Sequence, residues 1–238
     1  MFERCGPGPN GSIEYMILTD DRIEGALSVQ QKSMRQENIA TGVGIYEEEG
    51  AAEAMEVVFR DVIKDGCSII AVDVESDQVV AASFVKLHVP LPIGQVDSLL
   101  EVVKNNVKPR ASLDLINFLD DVESRVNLFE RYKTKAAMEI FYIGTTPGYQ
   151  GYKIGQGLVE RSVDLGKSFA SEDPLKRSIE PGVAFGVFTS NYSQRIASKL
   201  NFEWLVTVRY EDYDYAGKKM SERIGNEHET AKLGALKL

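Results

Sequence analysis

Residues 138–168 constrain the fold more than any other stretch of the chain. A strand-like run, MEIFYIGTT, ends at Pro147-Gly148, and a helical pattern begins near Tyr152 and runs to about Ser168. Ile154, Leu158, Leu165 and Phe169 are spaced to place one apolar face of that helix on a sheet. A strand that hands its chain directly to a sheet-covering helix is the unit of an α/β layer. The connection, Gly148-Tyr149-Gln150-Gly151-Tyr152-Lys153-Ile154-Gly155, carries three glycines. N–H groups at a helix start have no intrahelical acceptor and the helix dipole favours an anion there, so a phosphate-bearing ligand suits the position. The segment does not match G-x-x-x-x-G-K-[ST], and it lacks the strand–Gly-x-Gly arrangement of a dinucleotide site. Glycine-bearing turns of this kind also serve purely structural ends, so the loop by itself leaves both readings open.

The alternation extends along the chain. Residues 12–18 (SIEYMIL) read as a strand, and Thr19-Asp20-Asp21 as the start of a helix reaching about Arg35. A second helix covers 51–64, with Met55, Val58, Phe59 and Val62 on one face. SIIAVDV (68–74) and VVAASFVKL (79–87) form a hairpin around Glu75-Ser76-Asp77, ended by Pro90 and Pro92. Helices follow at 95–105 and 112–126. Beyond the 138–168 unit, VAFGVFT (183–189) is a strand, Asn191 to Leu200 a helix, and FEWLVTVRY the last strand. Gly186, inside a strand, suits a bulge or the close approach of a ligand. The order β-α-α-β-β-α-α-β-α-β-α-β predicts a mixed α/β (α+β) fold: one twisted central sheet with helices on both faces, in a single domain over 1–238.

Charge narrows the partners. Against 36 Asp+Glu stand 27 Lys+Arg, a formal charge of −9. There is no basic stripe to replace phosphate counterions, which argues against nucleic acid and suits a cationic or neutral partner. Cys5 and Cys67 are too few for a disulfide framework, and His88 and His228 are too isolated for a zinc cluster, so no metal is expected. Cys67 has no adjacent base and reads as a buried small residue. The N-terminus shows no signal-peptide pattern and no apolar run reaches membrane-span length. The expectation is a cytoplasmic monomer without a membrane partner.

Residues 34–39, 65–68, 127–132, 150–155, 189–193 and 199–202 form a series of blocks that, in this order, resembles the GNAT acetyltransferase superfamily and, more narrowly, insect arylalkylamine N-acetyltransferases. Gln150-Gly151-Tyr152-Lys153-Ile154-Gly155 stands where that superfamily has its acetyl-CoA signature, [RQ]-x-x-G-x-[GA]. Met34-Arg35-Gln36-Glu37-Asn38-Ile39 resembles the family's Asp-Glu-Pro-Leu block, and Asp65-Gly66-Cys67-Ser68 precedes the hairpin as in the family. Asn127-Leu128-Phe129-Glu130-Arg131-Tyr132 resembles its N-[IL]-F-x-x-Y segment. Thr189-Ser190-Asn191-Tyr192-Ser193 and Lys199-Leu200-Asn201-Phe202 resemble its S-x-x-Y-S block and K-L-G-F ending. Three positions depart from the pattern: Lys153 and Asn201 replace glycine, and Asn38 replaces proline. Lys153, read as a right-handed residue at a helix start, should cost little backbone strain. Asn201 should tolerate a left-handed cap.

The resemblance implies a GNAT fold with an amine-side half at 12–135, including a helical insertion, and an acetyl-CoA half at 136–238. It implies acetyl transfer from acetyl-CoA to the primary amine of an arylalkylamine by direct attack in a ternary complex. Glu37 matches the family's base, Ser193 its acid or thiolate partner, and Thr189 a second hydroxyl, with Tyr192 as the fallback acid. Acetyl-CoA would lie against Ile143, Gly144 and Thr145, where a backbone N–H meets the thioester oxygen, and against Gln150, Gly151, Tyr152, Lys153, Ile154, Gly155 and Asn191. Glu47-Glu48-Glu49 reads as a solvated acidic face. Two alternatives stay open: a GNAT enzyme for polyamines, agmatine, amino acids or longer acyl-CoAs, and a non-catalytic acyl-CoA-binding descendant.

Overall fold

The computed structural model describes residues 7–92, 95–169 and 179–238. Seven strands build the main sheet: β1 Gly11–Ile17, β2 Ile69–Asp73, β3 Gln78–His88, β4 Ala137–Thr145, β5 Val183–Phe188, β6 Glu203–Arg209 and β7 Thr230–Lys237. Their spatial order is β1-β2-β3-β4-β5-β7-β6, and Pro7–Gly8 adds a two-residue edge beside β1. Every neighbouring pair is antiparallel except β4 with β5. The helices are α1 Ile23–Met34, α2 Asn38–Val43, α3 Ala51–Ala54, α4 Glu56–Ile63, α5 Ser98–Asn106, α6 Arg110–Glu123, α7 Leu128–Tyr132, α8 Ile154–Ser168, α9 Asn191–Lys199 and α10 Met220–Ile224.

Strand alternation divides the core between two faces. Ile70, Val72, Ala82 and Phe84 pack with α1, α2, α4 and α6. Ile69, Ala71, Ala81 and Val85 point the other way, towards α8 and α9. The five residues of β2 are all buried, as a strand covered on both faces requires. Gly157 lets α8 settle closely on β1, because a Cβ there would lie 2.2 Å from the Tyr15 hydroxyl.

Two expectations need correcting. FEWLVTVRY forms β6, but it is not the last strand: β7 inserts between β5 and β6. Its core-facing residues, Ala231, Leu233 and Ala235, are small or helix-favouring, and Gly234 interrupts them, so the stretch carries little β signal. Gly234 lies opposite Gly186, and a Cβ on it would meet Trp204 and Phe188 at 2.9 and 3.0 Å. The second correction concerns Lys153, which is left-handed (φ 63°, ψ 17°) and sits outside α8 as its N-cap. The chain reverses there so that Ile154 enters the core as the first helical residue. A side chain in that conformation costs about 1–2 kcal/mol, which explains glycine in the signature and contradicts the low strain expected of Lys153. Asn201, also left-handed (φ 63°), caps the end of α9 as expected.

Candidate active site

β4 and β5 start side by side and then part. They pair only over Ala137–Glu139 with Val183–Phe185, although β4 stays paired with β3 as far as Thr145 and β5 with β7 as far as Phe188. Phe141 is an extra residue in β4 relative to β3, and a bulge of this kind adds local twist. Gly186 stands at the fork, where a Cβ would press to 2.9 Å from the Ile140 carbonyl oxygen. Its missing side chain therefore serves strand approach. Beyond the fork, residues 141–145 present an unpaired edge to a wedge-shaped opening. The Thr146 N–H donates to the Val80 carbonyl on the β3 side, so strand alternation turns the N–H groups of Ile143 and Thr145 into the wedge.

The wedge opens into a cleft of about 1140 Å³. On one side lies the loop before α8. Gly148 (φ +94°) and Gly151 (φ +86°) take left-handed turns, and a Cβ on either would meet nothing within 4 Å. The first intrahelical bond of α8 is from Gly157 N–H to the Lys153 carbonyl, which leaves the N–H groups of Ile154, Gly155 and Gln156 without helical acceptors. Tyr149 moors the loop by donating to Asp73 at 2.8 Å, and Gln150 donates to Gln36 across the cleft mouth at 2.9 Å. Lys153, Arg195 and Lys199 add positive charge to this side. The combination fits a phosphate-bearing ligand such as acetyl-CoA, with backbone donors at α8 and cations around them.

Opposite the loop lies Glu37, the N-cap of α2. Its carboxylate accepts the Ala40 N–H at 2.7 Å and the Thr189 hydroxyl at 2.8 Å. Burial pushes its pKa above the ordinary glutamate range, against the opposing pull of these hydrogen bonds. The fold thus brings together two residues 152 positions apart in the chain, at the exit of β5 and beside the wedge. Tyr142 lines the cleft nearby, and burial raises its phenol pKa far out of the titrating range.

Ile143, Gly144, Thr145, Gln150, Gly151, Lys153, Ile154, Gly155, Thr189 and Ser193 all line the cleft. The Ser193 hydroxyl is engaged in the capping box of α9, where it donates to the Ser190 carbonyl at 3.0 Å and accepts the Ser190 N–H at 3.2 Å. Two residues expected at the cofactor do not face the cleft. Tyr152 is exposed on the outer side of the loop, and the Asn191 amide is turned to the Glu227 carbonyl at 2.5 Å. Tyr192 is also exposed and donates to Glu227. The acidic run is not simply a solvated face: Glu47 pairs with Arg223, and Glu48 accepts the Arg110 and Ala111 N–H groups at the start of α6. Cys67 is buried, its thiol donating to the Asp65 carbonyl. Cys5 lies outside the described residues.

Sequence reasoning missed His228. It precedes β7 with no local motif, yet its ring lines the cleft and its Nδ1 accepts the Asn191 N–H at 3.3 Å, which leaves Nε2 to carry the proton of the neutral ring. It also missed the opposite end of the cleft. There His88 Nε2 donates to Glu139 at 2.7 Å, Glu123 contacts Glu139, and Asp97 and Asp120 line the wall. Burial first, and then the charge of Glu139, hold Glu123 well above the usual carboxylate range. Burial is the largest influence on His88 and pulls it down, but the hydrogen bond to Glu139 and the charges of Glu139 and Asp97 together outweigh it, and the net shift is upward. No group of side chains suited to a metal ion occurs among the described residues, and none of their helices is long and apolar enough to cross a membrane.

A mostly antiparallel seven-stranded sheet that splits at its one parallel pair, with a glycine-bearing loop and helix beside the split, is the GNAT acetyltransferase fold. Among solved structures, the chain is similar to an apo-form variant of an agmatine N-acetyltransferase (TM-score 0.73, 18% identity, 95% of this chain and 99% of that one). It is also similar to a Drosophila melanogaster polyamine N-acetyltransferase (0.71, 18%, 95% and 100%). Arylalkylamine N-acetyltransferase 2 from Aedes aegypti gives 0.68 at 18% identity, over 94% of this chain and 98% of that one. No protein-family profile and no curated protein sequence matches the chain. At such identities the shared property is the fold.

Proposed function

We propose that this chain is an acetyl-CoA-dependent N-acetyltransferase that acetylates the primary amine of an arylalkylamine by direct attack, both substrates being bound together. The observation that carries the reading is the Glu37–Thr189 hydrogen bond, which sets a carboxylate of raised pKa beside the wedge and opposite the loop. Alkylammonium groups have pKa values near ~10 and attack only as free amines, so a proton acceptor is required. Glu37 takes that proton. The N–H groups of Ile143 and Thr145 meet the thioester oxygen as it gains charge. Ser193 meets the departing sulfur by turning its hydroxyl proton away from the Ser190 carbonyl, and backbone N–H groups from Gln150 to Gly155 hold the pyrophosphate. Acetyl-CoA supplies the activated acyl group for direct attack, and Cys67 is buried away from the cleft lining.

The apolar lining on the Glu37 side favours an aromatic amine: Met34, Met55, Val58, Phe59, Phe141 and Leu115 surround it. The acidic end supports a second reading, an amine with a distal cation such as agmatine or a polyamine, of the kind named for two of the similar structures. Glu139 pairs with Phe185, four residues before Thr189, so about 13 Å of strand separates the two carboxylate regions. A thiol-release assay with phenylethylamine, tryptamine, agmatine and spermidine decides between them. Turnover of the aromatic amines is the expected result, and intersecting initial-rate lines should accompany it. Turnover of the polycations alone would establish the second reading. Tight CoA binding without turnover of any amine would reduce the protein to an acyl-CoA binder.

A further inference from the structure

Asn38 replaces the proline of the family's pattern, and its side chain makes a contact that proline cannot. Its Nδ2 donates to the Thr189 carbonyl at 2.7 Å, and the Tyr210 hydroxyl donates to the same oxygen at 2.5 Å. Both lone pairs of that carbonyl are therefore used. The peptide plane leaving Thr189 is fixed, and with it the direction in which Thr189 sends its hydroxyl to Glu37, 2.8 Å away. Asn38 and Tyr210 are both buried, and Tyr210 is anchored by its N–H to the Glu229 carbonyl and by Phe118 of α6. As the first residue of α2, Asn38 has no helical acceptor for its N–H, which is directed instead at the Glu37 carboxylate. Proline at this position would remove both that backbone donor and the amide donor, whereas alanine removes the amide donor alone.

We infer that Asn38 and Tyr210 are positioning residues, a two-donor clamp on the Thr189 carbonyl that aims the Thr189 hydroxyl at the Glu37 carboxylate. The inference rests on Glu37 being the base of the reaction proposed above. Through the clamp, the start of α2 on the amine side and the exit of β5 on the acyl side are tied at adjacent residues, Glu37–Asn38 on one and Thr189 on the other. The hydroxyl stabilises the charged form of Glu37, so a loosened Thr189 should let the carboxyl titrate at higher pH.

The test compares wild type with Asn38→Ala, Asn38→Pro and Tyr210→Phe. Two readouts are taken: the ¹³C titration of the Glu37 carboxyl in glutamate-labelled protein, and the pH–rate profile with 2-phenylethylamine at saturating acetyl-CoA. Each variant should move the Glu37 titration, and the acidic limb of kcat/KM, to higher pH. At neutral pH kcat/KM should fall by about tenfold, within the range that a small misplacement of a reacting group costs, while acetyl-CoA affinity stays within about twofold. Tyr210→Phe keeps the buried ring and carries the expectation if a change at Asn38 prevents folding. Unmoved Glu37 titration in folded variants, or an Asn38→Pro protein that titrates like wild type, overturns the clamp. A shifted titration in a protein that acetylates none of the panel amines leaves the clamp standing and refutes the acyltransferase reading instead.

Discussion

On the loop side of the cleft the groups that would meet a ligand belong mainly to the backbone: N–H groups at the start of α8 and along β4, with Gly148 and Gly151 shaping the turns. On the other side they are side chains, Glu37, Tyr142, Glu123 and Glu139, delivered by α2, β4 and α6. The first kind of site depends on dihedral angles and tolerates most changes of side chain. The second depends on burial and on partners far away in sequence, such as Thr189 for Glu37 and His88 for Glu139. Charge follows the same division, with Lys153, Arg195 and Lys199 near the loop and carboxylates at the far end. Backbone donors would hold the common co-substrate, and side chains would choose the amine.

The largest effect that separates the two sides is expected at Glu37. Glu37→Gln keeps shape and polarity but removes basicity, so kcat/KM should fall roughly 10²–10⁴-fold. Acetyl-CoA affinity, measured by calorimetry, should hardly change. Because hydroxide replaces the base as pH approaches the amine's own pKa, the loss should shrink in alkaline solution. A loss of the same size at every pH would make Glu37 a positioning group and weaken the contrast between the sides.

The converse change is Gly151→Glu. It imposes a Cβ on a backbone at φ +86° and puts a carboxylate where a pyrophosphate would lie. Left-handed strain of about 1–2 kcal/mol and like-charge repulsion together should weaken acetyl-CoA binding by tenfold or more. With acetyl-CoA saturating, KM for the amine should stay close to wild type. Undiminished acetyl-CoA affinity in a folded Gly151→Glu protein would remove the loop from the cofactor site.

The same division explains what could be read from the sequence. The loop side is local: strand, turn and helix are contiguous in 138–168, and their pattern marks the turn and helix start, while the resemblance assigned Gln150, Gly151, Ile154 and Gly155 to a cofactor. The left-handed state of Lys153 escaped because it is a property of one dihedral angle that a lysine does not announce. Glu37 and Thr189 were legible only through resemblance, since nothing in either segment tells that they meet. His88, Glu123 and Glu139 belong to three separated elements, and each alone looks like an ordinary polar residue at an element end. β7 was hidden because Ala231, Gly234 and Ala235 suit a crowded sheet interior and have low strand propensity.

The smallest expected effect tests whether the acidic end is built for a ligand at the expense of stability. Glu123 has a folded-state pKa well above its unfolded value, because it is buried against Glu139. In the unfolded chain it ionises near ~4.3. The folded protein therefore binds a proton that the unfolded chain releases, and this contribution is present below the unfolded pKa and is lost as pH rises through the folded one. Glu123→Gln removes the titration. Around pH 4 and below, where both chains are neutral at this position, the two proteins should melt alike. At pH 7–8 the variant should melt about 2–4 °C higher, the shift that about 1 kcal/mol produces in a domain of this size. Calorimetric melting across pH 4–8 reads the divergence directly, and curves that stay parallel would place Glu123 outside the acidic pair. Substrate kinetics then sharpen the comparison: if the cleft end receives a distal cation, Glu123→Gln should raise KM for agmatine or spermidine several-fold and leave phenylethylamine unchanged. Equal KM values for all amines would make the carboxylate pair a local feature of the α6–β4 contact, and amine choice would fall to the apolar wall around Phe59 and Phe141.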